Sequence, residues 1–165
     1  MAVKGWRTER RGQRRETGAL RMIAELALAA ALTSAAPSSD TGASAASRLA
    51  AAYAEGLRSA SLETLNSAFA PDGSFFSRDE NGRLRRQSFS AALPTWVDGP
   101  DSTVRFDVQR IENPTDQLAS VTGRLRMATR CYQDQLLLMR LASGWRIVAK
   151  TTEQIPCNEA PTPRD

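Results

Sequence analysis

A chain without histidine must use other side chains for acid–base chemistry near neutral pH, and none of the 165 residues is a histidine. Carboxylates, lysines and tyrosines with shifted pKa values remain as candidates. Asp134 is the strongest, because apolar residues follow it at every second position and apolar surroundings raise the pKa of a carboxyl group. The two tyrosines, Tyr53 and Tyr132, are also among these candidates. The alternative is an ordinary ion pair between Asp134 and a cross-strand Arg146 or Lys150.

Asp134 lies in the most strongly patterned stretch of the chain. Residues 132–141 and 145–152 are runs of aliphatic, aromatic and β-branched residues, and Ala142-Ser143-Gly144 between them is typical of a turn. The pattern predicts a β-hairpin, whose first strand is apolar on both faces and therefore central in a sheet. In the second strand the alternation predicts three inward residues, Trp145, Ile147 and Ala149, and three that face water, Arg146, Val148 and Lys150.

The other elements form an ordered series before this hairpin. We expect helices over 47–57, capped by Ser47, and over 62–69, capped by Ser61. Pro71-Asp72-Gly73 is predicted to turn the chain into a hairpin of strands 74–77 and 83–87, whose own turn is predicted at Asn81-Gly82. A third helix begins after Ser88 and is cut short by Pro94. Two further strands are predicted around 104–109 and 121–127, joined by a turn at 113–116.

This order predicts an α+β fold in which three N-terminal helices pack in the concave face of a curved, mainly antiparallel six-stranded sheet. Gly123, in mid-strand, suits the bend or bulge that curvature requires. The sheet and helices would enclose a conical cavity. Its predicted lining is Tyr53, Phe75, Phe89, Trp96, Phe106, Leu125, Leu136 and Trp145. The alternative is that these side chains form an ordinary core.

The central hairpin also carries a family resemblance. A Tyr-x-Asp-x-Leu-x-Leu run closed by Gly-Trp-x-Ile-x-x-Lys resembles the last two strands of the nuclear transport factor 2-like superfamily, and especially its SnoaL-like and putative lumazine-binding proteins. The resemblance covers roughly residues 46 to 155 and implies a cone-shaped, cystatin-like α+β roll, in agreement with the arrangement of helices and sheet above. It does not select a chemistry, since that fold hosts isomerases, dehydratases, cyclases and binding modules. The matching residues are Tyr132, Asp134, Leu136, Leu138, Gly144, Trp145, Ile147 and Lys150.

Charge is concentrated at the start of the chain. Residues 1–21 hold seven basic and two acidic side chains, a net charge of +5. The whole chain has a net charge of +4, so residues 22–165 together carry about −1. A nearly neutral folded part gives no support to nucleic-acid binding. We interpret residues 1–21 as a basic disordered arm or a misassigned start.

A signal-like apolar segment follows at 22–35, with a possible cleavage point after Ala35. It is too short for a stable membrane anchor, and it contains Glu25. The alternatives are a true start at Met22 or an Ala-rich helix on a disordered arm. Residues 36–46 are interpreted as a flexible linker, 47–157 as the domain and 158–165 as a disordered tail.

The two cysteines flank the predicted hairpin. With a turn centred on Ser143-Gly144, Cys131 pairs with residue 156, so a slip of one residue places Cys157 opposite it, within disulfide reach. A Cys131–Cys157 disulfide indicates a periplasmic or secreted protein; two free thiols in the cytoplasm are the alternative. No metal site is predicted, because the ligand spacing is wrong.

These features favour an exported domain that binds a small, mainly apolar molecule and needs no cofactor, without demonstrable catalysis. Two alternatives stay open. One is a proton-transfer isomerase, dehydratase or cyclase with Asp134 as base and Tyr53 or Tyr132 as donor to an oxyanion. The other is a homodimeric interaction module that pairs through the outer sheet face, where Leu137 and Met139 are expected.

Overall fold

The computed structural model describes residues 40–158. The predicted arm, the signal-like segment, the first part of the linker and nearly all of the tail lie outside this range. Within it the chain forms a six-stranded sheet with three α-helices and one short 3-10 helix. In chain order the elements are α1 (Gly42–Arg58), α2 (Leu62–Ala68), β1 (Phe69–Arg78), β2 (Leu84–Ser88), α3 (Phe89–Ala92), the 3-10 helix (Leu93–Thr95), β3 (Arg105–Thr115), β4 (Leu118–Arg126), β5 (Cys131–Leu141) and β6 (Gly144–Ile155).

The sheet has the order β2-β1-β6-β5-β4-β3, and all its neighbours are antiparallel except β1 and β6. The two strands of the predicted hairpin therefore occupy its centre, as expected. The helices pack on one face, where a single apolar core joins them to the sheet. The predicted α+β roll is confirmed.

Helix α1 begins earlier than predicted. It starts at Gly42, and the side chain of Thr41 accepts a hydrogen bond from the amide of Ser44 (3.3 Å), so Thr41 is the N-cap. Ser47, the predicted cap, lies within the helix and donates to the carbonyl of Ala43 (3.1 Å). The alanines of this linker-like stretch are good helix formers, and a helix forms here because a cap and a packing surface are present. Tyr53 is 1% exposed on the buried side of this helix.

The predicted turn at Pro71-Asp72-Gly73 is wrong, because β1 begins directly after α2 and includes these residues. They form an irregularity at which the pairing of β1 with β6 shifts between Phe69 and Ser74. Gly73 is required there, since a Cβ atom would lie 2.6 Å from both the ring of Phe89 and the carbonyl oxygen of Val148. The predicted hairpin turn at Asn81-Gly82 is present, with Gly82 at φ 75°.

Strand β3 is longer than predicted, and the chain turns at 116–117 instead of 113–116. Its register against β4 shifts between Val108 and Arg110, opposite Gly123, where curvature was expected. A Cβ atom on Gly123 would lie 2.5 Å from Cζ of Phe106. Glycine therefore gives the Phe106 ring room to lie across β4.

The β5–β6 hairpin turns one residue earlier than expected. Leu141 pairs with Gly144, which has φ 97°, so Ala142 and Ser143 form the turn. A bulge then leaves Val148 without a partner, because Leu138 pairs with Ile147 while Leu137 pairs with Ala149.

This bulge reverses the alternation of β6. Trp145 and Ile147 are buried as predicted, but beyond Val148 the buried residue is Lys150, at 3% exposure. The prediction that Lys150 faces water is therefore wrong, because one unpaired residue moves every later side chain to the opposite face.

The disulfide joins Cys131 to Cys157, with their Cα atoms 5.1 Å apart. Cys131 pairs directly with Ile155, not with residue 156 as predicted, so the bridge reaches two residues past the end of the strand pair. It closes a loop with a sequence separation of 26 residues. Such a closure is worth about 3 kcal/mol in the chain-entropy treatment. The bridge fixes the open end of the central hairpin, where Cys131 is three residues from Asp134.

Candidate functional site

A buried polar network lies on the concave face, around Asp134. Its carboxylate accepts three hydrogen bonds: Tyr53 Oη donates to Oδ2 (3.0 Å), and Lys150 Nζ and Thr152 Oγ1 both donate to Oδ1 (2.6 Å each). Asp134 is 1% exposed, so this is a desolvated ion pair. A buried charge of this kind is retained only when it is paired and hydrogen-bonded, as it is here.

Three elements position the network. Asp134 and Thr152 are direct cross-strand partners on β5 and β6, and Lys150 pairs with Leu136, the next inward residue of β5. Both β6 side chains reach the concave face only because of the bulge at Val148. Helix α1 supplies Tyr53 from above.

The Lys150 ammonium also lies against three aromatic rings. Its nitrogen is 5.6 Å from the ring centre of Tyr53, 5.3 Å from that of Phe75 and 5.6 Å from that of Trp96. Such distances allow cation–π attraction, which is strongest in desolvated surroundings. Phe75 is the cross-strand partner of Lys150 on β1, so the sheet itself fixes this contact.

Burial controls protonation in this network. It raises the pKa of the Tyr53 hydroxyl well above its ordinary value, and the negative charge of Asp134 raises it further. Burial lowers the pKa of Lys150, and the attraction of Asp134 partly opposes that change. Tyr53 therefore remains a hydrogen-bond donor at neutral pH.

The predicted pocket residues fall into two groups. The first group is buried in the core: Tyr53, Phe89, Leu125, Leu136 and Trp145. Within it, Phe89 packs on Phe69 at 4.6 Å and Trp145 donates to the carbonyl of Asp40 (3.3 Å), so these two belong to the packing of helices on the sheet.

The second group consists of Phe75, Trp96 and Phe106, each only partly buried. Tyr132, predicted as a catalytic candidate, is also partly buried, and we call these four aromatic side chains the rim rings. Phe75 and Trp96 lie 5.1 Å apart, and Phe106 contacts Tyr53 at 5.4 Å. Tyr132 and Phe106 lie on either side of Leu125, because each is its cross-strand partner on a neighbouring strand. Phe75, Trp96 and Phe106 thus contact residues of the buried polar network and are themselves partly exposed.

Lys150 and Thr152 are site residues that sequence analysis did not assign to the concave face. Lys150 was considered only as an ion-pair partner for Asp134, and that ion pair is present. The strand register identifies both residues once the turn is placed at Ala142-Ser143 and one residue of β6 is left unpaired, because Asp134 then pairs with Thr152 and Leu136 with Lys150.

Two grooves lie away from this network. The larger, about 480 Å³, is formed by β3, β4 and β5, where Glu112, Pro114, Leu118 and Leu137 line it. The smaller lies beside the start of α1, at Thr41 and Arg140. Neither is lined by a residue predicted for the pocket.

Comparison with known proteins places the chain among similar folds. The family model described as "Putative lumazine-binding" matches residues 41–152. An NTF2-like protein of unknown function from Shewanella baltica OS155 is 18% identical and has a TM-score of 0.62, over 68% of this chain and 92% of that one. An NTF-2 like protein of unknown function from Silicibacter pomeroyi DSS-3 is 19% identical, with a TM-score of 0.61, over 68% and 95%.

A ketosteroid isomerase-like protein from Erwinia carotovora atroseptica is 15% identical, with a TM-score of 0.54, over 68% of this chain and 95% of that one. At such identities the similarity concerns the fold alone. No curated protein shows significant sequence similarity to the chain. Across residues 40–158, no helix has the length and apolar character needed to cross a membrane.

Proposed function

Because the chain belongs to the putative lumazine-binding family of the NTF2-like superfamily, we propose that it is an exported domain that binds a small, flat, mainly apolar molecule inside its cone, without catalysis. The observation that carries the proposal is the pairing of a buried polar network with the rim rings above it. Apolar walls with a few convergent polar groups are the usual composition of a small-molecule site.

The ligand would enter by displacing a rim ring, and Trp96 is the side chain placed to move. It follows a 3-10 helix of three residues, and its amide is held by one hydrogen bond to the carbonyl of Leu93 (3.0 Å). Gly99 and Pro100 come shortly after it. Moving this indole would open a path to Lys150 while the six strands keep their pairing.

The test is binding of flat apolar probes by the full chain. We expect naphthalene to raise the melting temperature and to bind measurably by calorimetry. Trp96→Asp should abolish binding, because it places a charge where the ligand stacks. Leu84→Asp is the matched control, since Leu84 is 75% exposed on the edge strand β2. Equal binding by the wild type and Trp96→Asp would contradict a site beneath the rim rings.

Export is part of the proposal and is supported by the disulfide, which is typical of oxidising compartments. Mass spectrometry of protein collected from the periplasm or medium should find Cys131 and Cys157 linked. Free thiols on both would contradict it.

A second candidate is proton transfer by Asp134, and the hydrogen bond from Tyr53 favours it. A donor 3.0 Å from a buried carboxylate is an arrangement that acid–base chemistry uses. It ranks second because Tyr53, Lys150 and Thr152 already donate hydrogen bonds to Asp134, so both of its carboxylate oxygens are occupied before a substrate arrives. Deuterium exchange at the α-carbon of cyclic ketones tests it: the wild type should accelerate exchange and Asp134→Asn should not.

A further inference from the structure

The Lys150 ammonium has donors that the described chain leaves unused. An ammonium carries three N–H groups. Within residues 40–158 the one hydrogen bond from Lys150 Nζ goes to Asp134, while its other contacts are aromatic rings. The other polar donors of the network are engaged, because Tyr53 and Thr152 both donate to Asp134. A ligand that reaches this depth therefore meets Lys150 as its available donor.

We propose that Lys150 donates a hydrogen bond to a carbonyl oxygen of the ligand, and that the ligands of this site are uncharged, flat, conjugated rings with a carbonyl at one edge. The inference rests on the proposed function, because it requires entry beneath the rim rings. It adds to that function a specific anchor residue and a chemical class.

The charge balance of the site selects a neutral ligand. Asp134 and Lys150 carry opposite charges 2.6 Å apart, so the network has no net charge to offset a ligand ion. An anion would have to lose its water beside the Asp134 carboxylate, and a cation would have to do so beside Lys150. A carbonyl oxygen costs much less to desolvate and still gains a hydrogen bond from a charged donor.

The surrounding rings select a flat shape. Phe75 and Trp96 meet at a steep interplanar angle of 82°, with Lys150 within 5.6 Å of both. A planar ligand in place of the Trp96 indole would stack on Phe75 or Tyr53 with its edge toward the ammonium. A hydrogen bond to the carbonyl would then replace the lost Lys150–Trp96 contact.

The test compares probes that share one frame. Coumarin is flat and neutral and carries a carbonyl, naphthalene lacks it, and naphthoate and naphthylmethylammonium add a negative or a positive charge. By calorimetry on the full chain we expect coumarin to bind at least about tenfold tighter than naphthalene, because one hydrogen bond from a charged donor raises the affinity by about that factor. Both ions should bind more weakly than coumarin.

The control variant is Lys150→Met/Asp134→Leu, which removes both charges together and avoids stranding either. In it the ratio of coumarin to naphthalene affinity should fall to about one. A second measurement needs no variant: the carbon-13 resonance of the coumarin carbonyl should move downfield on binding to the wild type.

The outcomes separate the two claims. If naphthalene binds in a Trp96-dependent way but coumarin shows no advantage or no carbonyl shift, this inference is wrong and the binding function stands. A coumarin preference that persists in Lys150→Met/Asp134→Leu, or tighter binding of either ion, also overturns it. If no probe binds, the proposed function fails as well.

Discussion

The ammonium nitrogen of Lys150, on β6, lies 2.6 Å from the carboxylate of Asp134, on β5. The two residues are not direct cross-strand partners, because Lys150 pairs with Leu136, two residues after Asp134. The two side chains share the concave face because Val148 is unpaired in the preceding bulge. The ion pair is almost completely shielded from solvent, since the Lys150 side chain is 4% exposed and that of Asp134 is 0% exposed. Its two charges depend on each other more than on solvent.

Removing one charge should therefore be worse than removing both. We expect Lys150→Met to lower the free energy of unfolding by about 3–5 kcal/mol, because it leaves the Asp134 carboxylate buried without its cation. Lys150→Met/Asp134→Leu should recover most of that loss. Urea unfolding monitored by circular dichroism measures both. A double variant no more stable than the single one would show that the two residues do not act as a pair.

Tyr53 provides a second partner for the same carboxylate. Tyr53→Phe should lower the free energy of unfolding by about 1–3 kcal/mol, because Oδ2 of Asp134 then loses its donor in a buried position. Tyr132→Phe is the matched control, since Tyr132 is only partly buried, and its effect should stay below about 0.5 kcal/mol. Equal losses in the two variants would contradict a special role for the Tyr53 hydroxyl.

The same hydroxyl predicts a pH dependence. Burial raises the pKa of Tyr53, so the folded protein keeps its proton while the unfolded chain loses it above about pH 10. The folded state then binds more protons, and its stability falls as pH rises. The advantage of the wild type over Tyr53→Phe should thus be full below about pH 10 and shrink above it.

Lys150 contributes to the pH dependence of stability with the opposite sign, because its pKa is lowered on folding. It is present in both proteins, so it largely cancels from the difference. Urea unfolding at a series of alkaline pH values provides the measurement. A constant difference between the wild type and Tyr53→Phe would contradict the predicted linkage.

The sequence predicts the central hairpin and the inward face of β5 because their alternation is strong. It also predicts that Asp134 shares that face with Leu136 and Leu138, and all three are buried. These features depend on period and composition, which a single sequence carries.

It does not predict that Lys150 is in the site. A bulge adds one residue to a strand without a compositional signal, and Val148 resembles any other β-branched strand residue. Helix α1 was predicted to start late for a related reason: residues 42–46 read GASAA, a composition shared by linkers and helices. Packing against the rest of the sheet determines both the position of the bulge and the start of α1, and a single sequence does not reveal that packing.

Gly123 is predicted to be intolerant of any side chain. Gly123→Ala should lower the free energy of unfolding by about 1–3 kcal/mol, because the new Cβ atom overlaps the Phe106 ring and the carbonyl oxygen of Asp107. Phe106→Leu combined with Gly123→Ala should lose less than the sum of the single variants, since a smaller side chain removes part of the overlap. Chemical unfolding of the three variants measures this coupling. Strict additivity would place the strain in the backbone instead.

The outer face of β5 predicts self-association. Leu137 and Met139 are 38% and 42% exposed there, although large apolar side chains on the middle strands of a sheet are usually covered. If a second copy covers this face, the wild type should elute as a dimer by light scattering, and Leu137→Arg should elute as a monomer because it buries a charge without a partner.

Leu84→Arg is the matched control, because Leu84 is more exposed, at 75%, but lies on the edge strand β2. It should leave the dimer intact. A monomeric wild type at every concentration, or a dimer that survives Leu137→Arg, would remove the outer face as an interface. Since the proposed ligand site lies on the opposite face of β5, Leu137→Arg should also leave the affinity for naphthalene unchanged.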